Sequence, residues 1–209
     1  MLITISRQFH AGGSEVGRVT ADALGWTFVD NAFIEQVAAR AGLTADEVAR
    51  REERTPSFLE RLSRTTAMAF PELFQLPAES VAEFEEDKLV KITRNLVSEL
   101  ATAGRMVIVG RAAAAVLAEA VDALHVRVIA PRPWRIERAA QLLEIDADEA
   151  ARQLDEVDRN RERYHREYYG REWDDPGHYD LVLNAARLGV EGAAALIGQR
   201  ARDLGWTKS

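Results

Sequence analysis

A glycine-rich loop near the N-terminus holds the first residues that could do chemistry. Gly12 and Gly13 follow a short apolar run, and Ser14 and Glu15 open a helical pattern. Exposed amides of a glycine turn, together with the positive end of a helix, bind phosphate. A serine hydroxyl at the start of such a helix is also where phosphate-binding loops contact magnesium. A glycine-capped turn without a ligand would explain this loop, taken alone, equally well.

The loop departs from the phosphate-loop pattern G-x-x-x-x-G-K-[ST] at the lysine. One register, in which Gly17 precedes Arg18, would leave a very short helix before Gly25. The register that we prefer uses Ser14 as the helix N-cap and places Gly13 where the pattern has lysine. A cation that normally contacts the donor phosphates is therefore absent from its usual position.

A second candidate is Arg111, which directly follows Val109 and Gly110. The apolar residues 106–109 predict a buried strand, so Arg111 is expected at its carboxyl end. A guanidinium at that point can form two parallel hydrogen bonds with a phosphate. Alternatively, Arg111 is a surface residue at the start of a helix, although a cation in that position opposes the helix dipole.

A third candidate is the charged segment 155–163, which holds Asp158, Arg159 and Arg161. Its simpler interpretation is a solvent-exposed helix stabilised by pairs such as Asp155 with Arg159. Arginines above a phosphate site would instead stabilise the charge that spreads over a transferring phosphoryl group. The simpler interpretation must also explain the aromatic residues that follow, which are Tyr164, Tyr168, Tyr169 and Trp173.

The composition narrows the class of protein. The chain has 209 residues, of which 47% are hydrophobic and 29% charged, as expected for one globular domain with an inserted lobe. It has no cysteine, and its histidines lack metal-ligand spacing, which argues against disulfides and a zinc site. The net charge of -7 argues against a general nucleic-acid binder. Without a signal peptide or an apolar run of transmembrane length, we expect a cytoplasmic protein with no membrane partner.

The elements that must position these residues alternate along the chain. Short apolar runs predict strands, and amphipathic stretches between them predict helices. This alternation predicts an α/β fold in which helices cover both faces of a parallel sheet. The predicted strands lie at 2–6, 26–29, 106–109, 124–130 and 180–184, and the helices include 14–24, 31–41, 79–102, one that opens at a capping box over 146–149, and 189–201.

Ligands bind beyond the carboxyl ends of the strands in such a sheet. Those ends hold the loop 7–14, Asp30, Arg111, the loop after Ala130, and Asn184. We therefore expect segments that are distant in sequence to meet at one edge of the sheet. Asp30 could hold an acceptor hydroxyl or a metal-bound water, although capping a helix explains it at least as well.

In this order the motifs resemble those of bacterial cytidylate kinases and, more closely, those of the cytidylate kinase-like family. The resemblance spans nearly the whole chain and is weakest over 43–100. It is carried by Ile-Ser-Arg-Gln-Phe at 5–9 with Gly12 and Gly13, Val-Ile-Val-Gly-Arg at 107–111, Asp-Arg-Asn-Arg at 158–161 and Tyr-Asp-Leu-Val-Leu-Asn at 179–184.

The resemblance implies a three-layer αβα P-loop kinase fold with a five-stranded parallel sheet. It implies ATP and Mg²⁺ as cofactors, nucleotides as small-molecule substrates, and no nucleic-acid partner, and it is compatible with a homodimer. The chain would be a single domain over 1–209, with a core of 1–30 and 104–209, a helical acceptor-binding insert of 31–103 and a lid of about 155–175.

The resemblance also implies roles at the donor side. The glycine loop would hold the donor phosphates, and its serine would contact magnesium. An arginine after the fourth strand would add a further contact with phosphate. The residues concerned are Gly12, Gly13, Ser14, Glu15 and Arg135.

At the acceptor side, Arg111 matches the arginine of a Gly-Arg-Asp acceptor motif. Arg159 and Arg161 match lid arginines, which Asp158 would orient. Asn184 matches an acidic position of true cytidylate kinases and, with Asp30, would contribute to acceptor binding.

Three positions depart from the cytidylate kinase pattern. Gly13 replaces a lysine, Ala112 replaces the aspartate of Gly-Arg-Asp, and Asn184 replaces an aspartate. The last two changes argue against cytidine monophosphate as the acceptor. The first removes a charge that catalysis uses, and Arg7, at the end of the first strand, is the nearest candidate to supply it. Arg18 is a weaker candidate because it lies on the wrong side of the loop.

Two functions remain open at this point. The first is an ATP-dependent phosphotransferase that transfers the γ-phosphate to a nucleoside monophosphate or a similar small acceptor. The second is a catalytically weak or inactive nucleotide-binding or regulatory protein on a kinase fold. The missing lysine favours the second, whereas the retained Arg111, Asp158, Arg159 and Arg161 favour the first.

Overall fold

The computed structural model describes residues 1–30 and 78–206. Within them, strands that all run parallel form one sheet. The strands are β1 (Leu2–Arg7), β2 (Thr27–Val29), β3 (Met106–Val109), β4 (Ala123–Ile129) and β5 (Leu181–Asn184). Their order is β2-β3-β1-β4-β5, so β1 lies at the centre.

Helices cover both faces of this sheet, and the predicted three-layer α/β fold is confirmed. The capping box predicted at 146–149 is also confirmed, because the Asp146 side chain accepts a hydrogen bond of 2.7 Å from the Glu149 amide. The helices are α1 (Gly13–Leu24), α2 (Ala78–Ala103), α3 (Ala113–Val116), α4 (Arg132–Leu143), α5 (Ala147–Tyr169) and α6 (Ala185–Asp203), with a 3₁₀ turn at Pro176–His178.

Two helix starts differ from the prediction. Ser14 is not the N-cap of α1; that position belongs to Gly12, whose φ of 85° favours glycine. The last helix begins at Ala185, directly after β5, rather than at residue 189. Gly189, with φ 70° and ψ 170°, kinks that helix instead of starting it. The helix predicted at 31–41 lies outside the described residues.

The central strands carry different chemistry on their two faces. Ile3 and Ile5 point to a core that α1 and α6 cover, and both are almost completely buried. Thr4 and Ser6 alternate with them and therefore point to the other face. There the Thr4 hydroxyl lies 2.7 Å from Nδ1 of His125, its register partner on β4. One face of the sheet centre is thus apolar and the other polar.

Close packing sets the position of α1, the helix that follows the glycine loop. A Cβ on Gly17 would lie 2.6 Å from a methyl carbon of Val109 and 3.1 Å from the ring of Phe28. Only a residue without a side chain lets the helix approach β2 and β3 this closely. The approach fixes the N-terminus of α1 against the carboxyl ends of the central strands.

The helix α2 joins the sheet through its C-terminal half. Leu96 and Val97 are buried in a cluster with Leu2 and Ile108. The last turns of the predicted insert thus pack on the core, while residues 31–77 lie outside the described part. Neither α2, with 26 residues, nor any other described helix is long and apolar enough to cross a membrane.

Candidate active site

The side chain of Arg7 lies directly on the glycine loop. A Cβ on Gly13 would lie 2.8 Å from Cγ of Arg7, and it would contact Cβ of Arg7 as well. Further along the same side chain, a Cβ on Gly110 would lie 2.8 Å from Cζ of Arg7. Distances below 3.0 Å are not seen between real side chains and a Cβ, so residue 13 must be glycine while Arg7 keeps this position. At Gly110 the overlapping atoms are the mobile end of Arg7, and it is the φ of 80° that favours glycine there.

This contact explains the missing lysine. With Gly13 at the lysine position of G-x-x-x-x-G-K-[ST], the first glycine of the pattern falls on residue 7, which is Arg7. The cation and the glycine have therefore exchanged places. The space in which a lysine side chain would begin is occupied by the aliphatic part of the arginine.

The N-terminus of α1 presents free amides beside this arginine. The first backbone hydrogen bond of the helix runs from the Val16 amide to the Gly12 carbonyl at 3.0 Å. The amides of Gly13, Ser14 and Glu15 precede it and have no partner within the helix. Such amides, with the helix dipole behind them, form an anion-binding end.

Three arginines from different elements line one cleft at the carboxyl ends of β1 and β3. They are Arg7, Arg111 and Arg161. Arg161 comes from α5 and donates a hydrogen bond of 3.0 Å to the backbone carbonyl of Arg7. The aromatic side chains of Tyr164 and Trp173 form another wall of the same cleft. The cleft therefore combines concentrated positive charge with a partly apolar wall, as expected for a phosphate-bearing organic ligand.

The backbone at Arg111 is strained. Arg111 has φ 56° and the next residue, Ala112, has φ 48°, in the left-handed region that residues with a Cβ avoid. Each such residue costs about 1–2 kcal/mol. Strain of this kind persists where it serves a site, and here it turns a 7% exposed arginine into the cleft.

Asp158 and Arg135 hold the loop between β1 and α1 in place. Asp158 accepts one hydrogen bond from the Phe9 amide at 2.8 Å and another from Arg135 at 2.6 Å. Arg135 also donates to the carbonyls of Phe9 and Ala130, at 3.2 and 3.1 Å. Arg135 is only 5% exposed, so this network fixes the loop between β1 and α1 against α4 and α5.

The two predicted lid arginines behave differently. Arg161 is largely buried in the cleft, with its guanidinium 3.8 Å from Asp158. Arg159 is exposed and does not line the cleft. Asp155, the expected partner of Arg159, accepts its hydrogen bonds from Arg132 on α4 at 2.7 and 3.1 Å, which are the main cause that lowers the pKa of Asp155. Arg159 is close enough to lower this pKa further. The structure thus brings one of the two arginines to the site.

Oxygen donors for a metal lie on the other side of the loop. Ser14, Glu15 and Asp30 line one open depression. Hydroxyl and carboxylate oxygens are ligands that Mg²⁺ prefers, and it usually completes its shell with water and substrate phosphate. Ser14 and Asp30 are therefore the residues that would hold a magnesium ion, in a depression that Arg18 also lines. The Glu15 carboxylate is bonded to Arg138 at 2.5 Å, which leaves its backbone amide as the group available to a phosphate.

Asn184 lies apart from the other predicted acceptor residues. It ends β5, while Asp30 follows β2, and these strands are the opposite edges of the sheet. Four strand spacings separate them, roughly 19 Å. Asn184 instead neighbours the glycine loop, since a Cβ on Gly12 would lie 4.0 Å from Cβ of Ala185. Its Oδ1 is buried without a hydrogen-bond partner in the described part of the chain.

The sequence did not reveal how Trp173 takes part in the site. Its indole Nε1 donates a hydrogen bond of 2.9 Å to Oγ of Ser6, the residue before Arg7. The segment after α5 is held further by Arg171, which donates to the carbonyl of Ala114 at 3.1 Å. These bonds attach the end of the predicted lid to β1 and α3. An isolated tryptophan after a charged helix was the available signal, but it does not indicate a partner.

Comparisons with known proteins agree with this geometry. The chain matches the sequence model of the cytidylate kinase-like family over residues 2–187. It belongs to that family. A cytidylate kinase of Natronomonas pharaonis is 28% identical over 198 residues, which cover 94% of this chain and 87% of that protein. A cytidylate kinase of Methanopyrus kandleri is 34% identical over 115 residues, 51% of this chain and 59% of that protein.

Solved structures show the same fold. An uncharacterized protein from Eubacterium ventriosum matches with a TM-score of 0.69 and 17% identity, over 97% of this chain and 98% of that one. Shikimate kinase from Acinetobacter baumannii, solved with shikimate, matches with a TM-score of 0.52 and 15% identity, over 97% and 93% of the two chains. At these identities the likeness shows the fold alone. Family and fold together support a nucleotide kinase.

His10 reports on the charge around the loop. Its Nε2 is buried and has no hydrogen-bond partner among the residues described. Burial is the main cause that lowers the pKa of His10 below its ordinary 6.5. Nearby arginines lower this pKa further, while Glu15 raises it. The arginines are Arg138, Arg161 and Arg135.

We expect an anion at the loop to reverse this effect. Inorganic tripolyphosphate would offset the arginine charge, so its binding should raise the pKa of His10, and its affinity should increase as the pH falls through that pKa. NMR titration of the histidine rings, with and without tripolyphosphate, measures the shift. His125, whose pKa burial also lowers but which bonds to Thr4, is the internal control. An unchanged pKa of His10 at saturation would contradict the assignment.

Proposed function

We propose that this protein is an ATP-dependent phosphotransferase that phosphorylates a nucleoside monophosphate or a similar small phosphate-bearing acceptor. The observation that carries the proposal is the convergence of Arg7, Arg111 and Arg161 on one cleft beside the N-terminus of α1. Phosphoryl transfer requires mainly positioning and stabilisation of negative charge, and this arrangement supplies both.

The donor side uses the loop that precedes α1. The amides of Gly13, Ser14 and Glu15 hold the donor phosphates, and Ser14 and Asp30 hold Mg²⁺. When bound, the magnesium ion neutralises charge on the donor phosphates. Arg7 supplies the positive charge that a lysine at position 13 supplies in the usual pattern. Asp158 and Arg135 keep the loop in place through Phe9.

At the acceptor side, Arg111 holds the acceptor phosphate and Arg161 closes over the transferring group. An acceptor phosphate oxygen forms a new bond to the γ-phosphorus, while the bond from that phosphorus to its bridging oxygen breaks and ADP leaves with the electron pair. The guanidinium of Arg161 stabilises the charge on the oxygens in between. A phosphate acceptor carries its own negative oxygen and needs no general base.

A direct assay tests this proposal. With ATP and Mg²⁺, we expect ADP release to rise above the acceptor-free rate for at least one member of a panel of nucleoside monophosphates. Cytidine monophosphate should not be the preferred acceptor, because Ala112, next to Arg111 in the cleft, replaces the aspartate of the cytidylate kinase pattern. Shikimate, which is bound in one solved neighbour, serves as an acceptor without a phosphate.

The alternative function predicts a different result in the same assay. A nucleotide-binding protein without catalysis would bind ATP measurably but release no ADP with any acceptor. That outcome would refute the proposal that the acceptor is a nucleotide. Activity with shikimate alone would leave a kinase but overturn the choice of a phosphate-bearing acceptor.

The exchange of Arg7 and Gly13 gives a second test. Arg7→Gly should lower kcat at least a hundredfold, the effect of removing one group that stabilises transition-state charge. Gly13→Lys alone should also inactivate the protein, because its Cβ would overlap Arg7. The double variant removes the overlap and restores a cation, so it should be more active than either single variant. A double variant no better than the singles would show that Arg7 does not replace the lysine.

Arg161 and Arg159 provide a matched pair for the lid. Arg161→Ala should lower kcat by a factor of roughly 100, since its guanidinium lies in the cleft. The substitution also removes the bond to the Arg7 carbonyl, so thermal stability falls as well, but proportionally less than kcat. Arg159→Ala removes the same charge from the same helix, but its side chain is exposed and it should cost less than a factor of about three. Equal effects of the two substitutions on kcat would contradict the assignment.

A further inference from the structure

A further arginine, which is buried and does not line the cleft, lies beneath it. Arg127 is on the central strand β4, and it is only 2% exposed. Its guanidinium stacks on the ring of Trp173, with Cζ 4.2 Å from the ring centroid, and lies 5.5 Å from the ring of Tyr179. It donates hydrogen bonds to the carbonyl of Trp173 and, at 3.4 Å, to the Tyr179 hydroxyl.

These partners are all neutral. Within residues 1–30 and 78–206, Arg127 forms no ion pair with a carboxylate. Asp180, the acid next to Tyr179, accepts a hydrogen bond of 2.7 Å from the His125 amide instead. An arginine keeps its charge in a protein, and the faces of two aromatic rings offset only part of the loss of hydration. Among the described residues Arg127 is therefore a buried charge without a counter-charge, which is expensive for a fold to keep.

The position of this charge connects it to the cleft. In the β1–β4 register Arg127 lies opposite Ser6, and the two side chains share the polar face of the sheet. The Ser6 hydroxyl accepts a hydrogen bond of 2.9 Å from Trp173 and lies 3.3 Å from the Tyr179 hydroxyl, which donates its shorter bond, 2.7 Å, to the Trp173 carbonyl. These are the same two residues that enclose Arg127. Ser6 and Trp173 both line the cleft with Arg7. Arg127 thus lies one layer of side chains below the position that a ligand would occupy in the cleft.

We propose that Arg127 is an electrostatic positioning residue, whose buried charge draws the phosphate group of a substrate into the cleft above it. It contacts no ligand itself and acts across Ser6 and Trp173. A charge in a protein interior acts through a lower dielectric than a surface charge, and salt screens it less. This inference rests on the proposed function only in requiring that the cleft binds phosphate.

The experiment compares Arg127→Met with the unaltered protein, using inorganic pyrophosphate as the probe in calorimetric titrations at low and high potassium chloride. We expect the Kd to rise about tenfold, which corresponds to about 1.4 kcal/mol. The increase should be similar at both salt concentrations, because the charge is buried. Replacing an unpaired buried charge with an apolar side chain should leave the melting temperature unchanged or raise it.

Two further substitutions separate charge from structure. Arg127→Lys keeps a positive charge and should stay within a factor of about three of the original Kd. Arg132→Met removes an exposed arginine, with 51% of its side chain accessible, that pairs with Asp155. This matched control should leave the Kd almost unchanged at high salt.

The outcomes are distinct. A folded Arg127→Met variant that binds pyrophosphate as tightly as the unaltered protein overturns the inference. If that variant does not fold, Arg127→Gln, which retains hydrogen-bond donors without charge, replaces it, and failure of both to fold marks Arg127 as a structural residue only. Lost pyrophosphate binding in a protein without kinase activity would support this inference while rejecting the proposed function. Kinase activity together with an unchanged Kd would support the proposed function and reject this inference.

Discussion

The contact between Arg7 and Gly13 is the constraint on which the site depends. The aliphatic part of Arg7 fills the space where a side chain at position 13 would begin, and its guanidinium covers Gly110. Arg7 in this position therefore requires a glycine at the start of α1, while the φ of 80° at Gly110 favours glycine after β3. A lysine on a helix would hold its charge on a flexible chain, whereas Arg7 is held between two glycines at the end of the central strand. Arg161 then bonds to the Arg7 carbonyl, so the lid helix is aligned on the same residue.

The alternation of side chains along β1 and β4 explains why the site can exist beside a well-packed core. On one face Ile3, Ile5 and Val126 pack under α1 and α6. On the other face Thr4 meets His125 and Ser6 meets Arg127, in a ladder of buried polar pairs. Such pairs are stable only when each group finds a partner, and Trp173 and Tyr179 provide the partners near the cleft. The polar face thus connects the interior of the sheet to the ligand surface.

Local patterns in the sequence were enough for the fold but not for all of the site. The strand at Met106–Val109 follows from its run of apolar residues. The start of α5 follows from its capping box, in which one side chain accepts a hydrogen bond from the backbone amide three residues later. Arg111 and Arg7 could be placed because the end of a buried strand has only one location in a parallel sheet. Helical residues two positions apart diverge by about 200°, so Arg159 and Arg161 cannot both face the cleft, but the spacing does not indicate which of them does. The role of Arg127 does not follow from local patterns, because its partners are distant in sequence. A charged residue inside a strand that must be buried is nevertheless a signal of an unusual environment.

Several features of the site lower the stability of the free protein, and a bound anion would compensate for them. Three guanidinium groups line the cleft, a fourth is buried below it without a counter-charge in the part of the chain that the structure describes, and Arg111 and Ala112 hold strained backbone angles. Positive charges at such short separations repel one another, and backbone strain adds about 1–2 kcal/mol at each of Arg111 and Ala112. At the rim, Asp158 pairs with Arg135 and Glu15 with Arg138, and Asp158 also lies 3.8 Å from the guanidinium of Arg161. A phosphate group that binds between the cleft arginines, as we propose, would offset their remaining repulsion and so stabilise the folded protein.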